Sequence, residues 1–125
     1  TLWGISMKLI DFDAQPIYLA RHPVDFRKQI NGLLEIVSSE FNELPKTALF
    51  VFLNRSRDKA KVLFWHKNGF MLWYKRLEKG HFHLLAVDDQ HIALDQQQLE
   101  WLLCGYDWIC MSDMIKPELQ YYDQK

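Results

Sequence analysis

The sequence is short of the features that mark several classes of protein. It has two cysteines, five glycines and four prolines among 125 residues. Collagen-like and low-complexity chains need far more glycine and proline, so both classes are excluded. No apolar run approaches the roughly 18 residues of a membrane-spanning helix, which excludes a membrane bundle. With 49% apolar and 25% charged residues, residues 1–125 are instead typical of one globular domain with its own core.

The cysteines and the first residues also indicate a cellular compartment. Cys104 and Cys110 have the spacing of neither a metal knuckle nor a redox CxxC motif. We expect two buried or half-buried thiols and no disulfide. Met7 is a candidate native start, which makes residues 1–6 a non-native leader, and that segment is too short and lacks the basic flank for a signal peptide. We therefore expect a cytoplasmic protein.

Catalytic and metal-binding motifs are scarce. The sequence has no phosphate-binding GxxxxGK[ST], no GxGxxG, no HExxH and no GxSxG. Asp88 and Asp89 beside His91 would suit a divalent cation, but such a cluster is more often a solvated turn. His81 and His83 share one side of a predicted strand without a third zinc ligand. We therefore predict no catalytic residue, no metal site and no cofactor.

The net charge of −1 hides an uneven distribution. Residues 54–83 carry eight basic and two acidic side chains, whereas residues 84–125 carry two basic and eight acidic ones. This asymmetry indicates a face for an anionic partner beside an acidic face. The alternative is that the two parts fold against each other and neutralise their charges.

Hydrophobic periodicity predicts an α+β fold. We expect a short strand over 16–20, a helix over 23–42 that begins at Pro23, a buried strand over 47–53 and a further strand over 81–87. Together with a hairpin, these segments predict an antiparallel sheet of four or five strands with helices on one side.

A second helix is signalled by its ends. Asp95 is a good N-cap and Gln98 stands three residues later, which is the spacing of a capping box. Gly105 is a natural C-terminal stop. The tail, residues 111–125, is predicted to be partly helical with frayed last residues.

The hairpin is the clearest local signal. Asn68-Gly69 stands between two aromatic-rich runs and predicts a two-residue turn. With these two residues as the loop, Lys61 lies opposite Arg76, and such like charges are destabilising unless an anion or an acid relieves them. Both sides of the hairpin are rich in large apolar residues, so one side must pack on the helices and the other is either covered too or an exposed aromatic patch. Such a patch would also fit a homodimer interface.

Basic side chains beside exposed aromatic rings suit a nucleic-acid backbone with stacked bases. Trp73 or Tyr74, whichever is exposed, is predicted to stack or wedge. An acidic protein surface would satisfy the same cations, and pairing with acids of the chain itself is the alternative to both. The cations predicted to contact DNA or a partner are Arg55, Arg57, Lys61, Lys75, Arg76 and Lys79.

Five blocks of the sequence are distinctive by their order and spacing. They are Asp25-Phe-Arg-Lys-Gln-Ile-Asn-Gly-Leu33, Leu49-Phe-Val-Phe-Leu-Asn-Arg-Ser-Arg-Asp58, Lys61-Val-Leu-Phe-Trp-His-Lys-Asn-Gly-Phe70, Leu72-Trp-Tyr-Lys-Arg-Leu-Glu-Lys-Gly80 with Phe82, and Gln98-Leu99 with Leu102-Leu103, Gly105 and Asp107-Trp108. Together these blocks resemble the small accessory protein of the insertion-sequence-66 family, often called TnpB, and the resemblance covers residues 16–108. His66 departs from the family pattern, which tends to have an acid there.

The resemblance implies a role in transposition rather than a chemistry. Family members are encoded beside a larger transposase that cuts and joins the DNA, and the family has no agreed catalytic residues. The basic block of the family falls on Arg55, Arg57, Lys61, Lys75 and Arg76.

Three functional hypotheses follow. The first is a non-enzymatic accessory protein for transposition in bacteria that binds DNA, such as the element ends, within the transposase assembly. The second is a module that docks on the transposase or on a host factor without DNA contact. The third, a metal-dependent nuclease, would need Asp25, Glu78 and Asp107 in one cleft, and nothing in the sequence brings them together.

Overall fold

The fold is a five-stranded sheet with three helices in the described part of the chain, residues 15–84 and 91–115. The computed structural model thereby confirms the α+β fold class. A π-helical turn, Val37–Phe41, extends the first helix. In chain order the elements are β1 (Ile17–Leu19), α1 (Ile30–Ile36), β2 (Leu49–Leu53), β3 (Lys59–His66), β4 (Gly69–Arg76), β5 (Ile92–Leu94), α2 (Gln96–Leu103) and α3 (Trp108–Ile115). The strands lie side by side in the order β4-β3-β2-β1-β5.

One pair of strands in this sheet is parallel. β1 and β2 run in the same direction, with Ile17 opposite Leu49, whereas the other three pairs are antiparallel. The prediction of a wholly antiparallel sheet is wrong here, because the chain leaves β1, passes through α1 and returns to the sheet. A strand–helix–strand crossover of this kind joins parallel strands.

Helices cover both faces of the sheet. In β2, every residue is buried, and successive side chains point to opposite faces. Leu49, Val51 and Leu53 join the core cluster that contains residues of α2 and α3. Phe50 and Phe52 join a second cluster, which contains residues of α1 and its π-helical turn. The prediction of helices on one side is therefore wrong, and a strand that is apolar at every position is the signature of a doubly covered sheet.

The hairpin forms, but its turn lies one residue earlier than predicted. His66 pairs with Gly69, which leaves Lys67 and Asn68 as the loop. Lys67 takes the positive φ of 56° that a tight turn requires. The cross-strand register therefore shifts by two residues, so that Lys61 faces Tyr74 and not Arg76. Because a shift of two keeps every side chain on its predicted face, the assignment of residues to faces survives.

Helix α2 agrees with the sequence-based prediction better than helix α1 does. Asp95 and Gln98 form the predicted capping box, and Gly105 ends the following turn with a φ of 80°. Helix α1 begins at Ile30 rather than at Pro23, since residues 23–29 form turns and irregular backbone. Within residues 15–84 and 91–115, no helix combines the length and the apolar character needed to cross a membrane.

The chain between β4 and α2 departs most from expectation. Residues 81–84 are irregular and not a strand, and residues 85–87 lie outside the described residues. The short strand β5 was not predicted. Cys104 and Cys110 are free thiols as predicted, but both are exposed rather than buried.

Candidate nucleic-acid interface

The topology gathers several basic segments at one end of the sheet. β3 runs antiparallel to β2, so the loop between them lies at the end where β2 finishes. β4 returns to the same end, where Arg76 lies opposite Lys59. Residues 54–59 and 75–84 therefore form one surface, which we call the basic edge. It carries six basic and two acidic side chains, a net charge of +4.

Asn54 organises the first loop of the basic edge. Its side-chain Oδ1 accepts hydrogen bonds from the backbone N–H groups of Asp58 and Lys59, each at 3.0 Å. Its Nδ2 donates to Asp58 Oδ1 at 2.7 Å, and this bond lowers the pKa of the Asp58 carboxyl group. The chain reverses at Arg57, which has a φ of 58°. One amide side chain thus fixes the backbone that presents Arg55 and Arg57.

The second loop of the basic edge, which follows β4, is hydrogen-bonded to the first. The Leu77 N–H donates to the Asp58 carbonyl at 2.7 Å, and the Phe82 N–H donates to the Arg57 carbonyl at 2.6 Å. The His81 ring donates from Nδ1 to the Ser56 carbonyl at 2.7 Å, since a carbonyl oxygen can only accept. The Phe82 ring is buried in the core. The two loops of the basic edge therefore form one braced unit.

The cations of the basic edge differ in their partners. Arg76 forms a 2.9 Å ion pair with Glu78, which raises the pKa of the guanidinium, and Lys59 lies 3.7 Å from Asp58. The opposed like charges, Lys59 and Arg76, are thus each relieved by an acid of the chain. Lys75 donates from Nζ to the Leu103 carbonyl at 2.7 Å, where it caps the last turn of α2.

Three other cations are exposed and uncommitted within the described residues. Arg55, Arg57 and Lys79 all lie on the surface. Among residues 15–84 and 91–115, none of their side chains has a hydrogen bond or an ion pair. They are the groups of the basic edge most available to an anion.

Lys61 does not belong to this surface. The residue is only 4% exposed, and its Nζ donates to the carbonyl oxygens of Phe26 at 3.0 Å and Lys28 at 2.7 Å. Burial lowers the pKa of the ammonium group. The sequence-based assignment of Lys61 to phosphate contact is therefore corrected: the side chain joins β3 to the segment before α1.

The hairpin aromatics divide between the core and the surface. Trp73 is half-buried and packs edge-on against Phe64, with ring centroids 5.0 Å apart. Tyr74 is 56% exposed and meets the Phe26 ring at its edge. Of the two candidates for stacking, Tyr74 is therefore the exposed one.

The acids required for a nuclease have separate partners. Asp25 pairs with Arg27 at 2.6 Å, and this contact lowers the pKa of the carboxyl group to about 2. Glu78 pairs with Arg76, and Asp107 accepts the Cys110 N–H at 3.1 Å. In the described ranges no three His, Cys, Asp or Glu side chains are placed to hold a metal ion. The Asp88-Asp89 candidate lies outside the described residues.

Sequence reasoning missed the segment that follows β1. Because β1 and β2 are parallel, residues 20–23 lie beside the loop of Arg55 and Arg57, and a cavity of about 270 Å³ separates the two segments. His22 lines this cavity. The strand–helix–strand order of the sequence was the signal that would have placed His22 there.

Comparison with known proteins identifies the family. A profile of the IS66 Orf2-like protein family matches residues 15–113. The uncharacterized protein y4jC of Sinorhizobium fredii is 33% identical over 93 residues, which cover 74% of this chain and 80% of that protein. The uncharacterized protein y4hO of the same organism is 40% identical over 60 residues, covering 48% of this chain and 52% of that protein. No solved structure matches.

The match confirms the resemblance drawn from the sequence blocks. The family is an accessory one associated with transposition and is not a known catalytic family. The chain therefore belongs to the IS66 Orf2-like family of transposition-associated accessory proteins.

Proposed function

We propose that the protein is a non-enzymatic accessory factor that binds DNA through the basic edge within the transposase assembly. One observation carries the proposal. Arg55, Arg57 and Lys79 are exposed on two loops braced against each other, and no described acid neutralises them. When cations held in this way contact a phosphate backbone, the DNA releases the counterions condensed on it, and this release supplies most of the affinity of such contacts.

The geometry favours phosphate over a more diffuse anion. Arginine presents a rigid fork of donors that binds phosphate through two hydrogen bonds. Asn54 fixes the loop before any ligand arrives, which lowers the entropy lost on binding. Arg76, Lys75 and Lys59 add positive field, although each has a partner within the chain.

The test is a binding titration with a labelled duplex from the element end and an unrelated duplex, at two or more salt concentrations. The variant Arg55→Gln/Arg57→Asn removes two uncommitted cations, and asparagine tolerates the positive φ of position 57. We expect binding to weaken about tenfold or more, and the slope of log Kd against log salt to fall by about 2.

A matched control is available at the other end of the sheet. Lys46→Gln/Lys67→Asn also removes two cations, and position 67 also has a positive φ, 56°. This control is expected to bind within about twofold of the wild type if contacts are local, because charges beyond a Debye length of about 10 Å are screened. Equal losses in the two variants would mean that net charge alone attracts the DNA.

The alternative is docking on the transposase or on a host factor without DNA contact. Exposed Tyr106 lies next to Gly105, which approaches Leu77 within the basic edge, and tyrosine and arginine together are typical of protein interfaces. Two results together would favour this function instead. Neither duplex would bind at low salt, and the transposase would capture the wild type but not the variant Arg55→Gln/Arg57→Asn.

A further inference from the structure

We infer that the cavity between the ends of β1 and β2 holds one unpaired nucleotide, so that the protein prefers DNA with a free single strand. The inference rests on the proposed function, since it names the part of the DNA that enters the basic edge. The cavity has a volume of about 270 Å³, slightly below the range of drug-sized ligand pockets, which begins at about 300 Å³. Its size limits the ligand to about one nucleotide.

One wall of the cavity is polar and cationic. Arg55 and Arg57 line it from the loop that follows β2. Both are exposed and have no acid partner among the described residues. Their backbone is held by Asn54, which also lines the cavity but uses its side chain on the loop itself. The two guanidinium groups suit the phosphate of a nucleotide.

The other walls are apolar or aromatic. Ala20, Pro23, Leu53 and Leu84 line the cavity, together with the ring of His22. Arg21 Nη1 lies 3.0 Å from His22 Nε2, and because arginine can only donate, this nitrogen accepts the hydrogen bond. An imidazole ring beside apolar side chains is a surface on which a nucleobase stacks.

This combination discriminates between forms of DNA. A phosphate alone would gain nothing from the apolar walls. The backbone of an intact duplex offers phosphates, but its bases are stacked inside the helix and cannot enter a cavity without being unpaired. Only an unpaired nucleotide, at a frayed end or in a single-stranded overhang, presents a phosphate and a free base together.

The test compares a blunt duplex with a duplex of the same sequence that carries a short single-stranded overhang. We expect the wild type to bind the overhang about fivefold more tightly, the lower end of what stacking one base contributes. The variant His22→Ala should lose this preference and still bind the blunt duplex within about twofold of the wild type, since Arg55, Arg57 and Lys79 remain.

The outcomes separate this inference from the proposed function. Equal affinity for both duplexes, or a preference that His22→Ala retains, would overturn the nucleotide site and leave DNA binding by the basic edge intact. Failure of both duplexes to bind at low salt would overturn both proposals.

A second arm locates the site with small probes. Deoxyadenosine monophosphate, titrated into isotope-labelled protein, should shift the amide NMR signals of residues 20–24 and 53–57. Inorganic phosphate should act on the same signals more weakly. Equal effects of the two probes would show that the base is not held and would overturn the inference. Saturation by the free nucleotide without any overhang preference would assign the cavity to a soluble nucleotide instead of a DNA strand.

Discussion

A cation in strand β3 and a cation in the loop before it differ in burial. Lys61, inside the strand, is buried and donates its hydrogen bonds to two backbone carbonyls. Arg57, four residues earlier, is exposed and has no partner among the described side chains. In the sequence both belong to one basic block. A basic block in a sequence therefore locates a surface only roughly, because burial decides which of its cations remain available to a ligand.

The largest effect on stability should come from replacing the buried cation, Lys61. Lys61→Ala leaves the Phe26 and Lys28 carbonyls without their donor and opens a cavity in a packed sheet. We expect a loss of about 2–4 kcal/mol in the free energy of unfolding. Lys61→Met keeps the volume and should lose about 1–2 kcal/mol. Denaturant unfolding gives both values.

DNA titration of the folded Lys61→Met protein is the companion measurement, and it should give the wild-type affinity. A large loss of DNA affinity with unchanged stability would return Lys61 to the binding surface.

The pH dependence of unfolding, compared between the wild type and Lys61→Met, tests whether Lys61 is a buried ammonium group. Burial lowers the pKa of Lys61 below its usual 10.5, so the unfolded chain binds more protons between the two pKa values. Stability from this residue therefore rises with pH across that interval and is constant below it. Unfolding of wild type and Lys61→Met from pH 7 to pH 10 should show the wild type gaining on the variant. A gap that does not change with pH would contradict a buried ammonium group.

A smaller effect on stability should follow from weakening the loop that carries the exposed cations Arg55 and Arg57. Asn54→Ala removes the acceptor of two backbone N–H groups and a donor to Asp58. We expect a loss of about 1–3 kcal/mol in unfolding free energy, together with weaker DNA binding, because the loop no longer holds its two arginines in place.

Asn54→Asp is the informative companion to this change. It keeps the acceptor but places two carboxylates together, so it should also weaken the loop. Unchanged DNA affinity in both variants would show that the loop geometry is irrelevant to binding.

The smallest effect concerns the segment that leads from β1 to α1. The Arg27 hydrogen bonds lower the pKa of Asp25 to about 2, so the carboxylate contributes stability above its usual pKa, and that contribution is lost as the pH falls toward 2. Asp25→Asn should therefore lower the melting temperature slightly at pH 7 and leave it unchanged near pH 2. A pair this exposed gives a small shift at most. A difference that persists at pH 2 would point to packing rather than charge.

Local signals in the sequence were read correctly where a few neighbouring residues decide the structure. The capping box of Asp95 and Gln98 and the stop at Gly105 formed as predicted. The hairpin formed too, although Lys67 and Asn68 make its turn rather than Asn68 and Gly69. Turn position depends on small energy differences between neighbouring dipeptides, whereas the face of each side chain follows from alternation and survived the error.

Longer-range features were predicted less well. The observed helix begins later than the predicted helix over 23–42. In the irregular segment before it, the carbonyls of Phe26 and Lys28 accept hydrogen bonds from Lys61, on a strand more than 30 residues away. The sequence-based prediction has helices on one side of the sheet only, although β2 is apolar at every position and is buried on both faces. For the site, Arg55, Arg57 and Lys79 lie on the predicted surface, while Lys61 and Trp73 pack inward.

The α+β class, the hairpin faces, the second helix with its caps and the family all follow from the sequence, because each depends on local periodicity or on ordered blocks. Tertiary contacts decide which cations of the basic block are buried and which are exposed, that β1 and β2 run parallel, and that His22 lines the same cavity as Arg55 and Arg57. These features depend on contacts between segments about 30 residues apart, and such contacts are set by how the layers pack rather than by any local pattern.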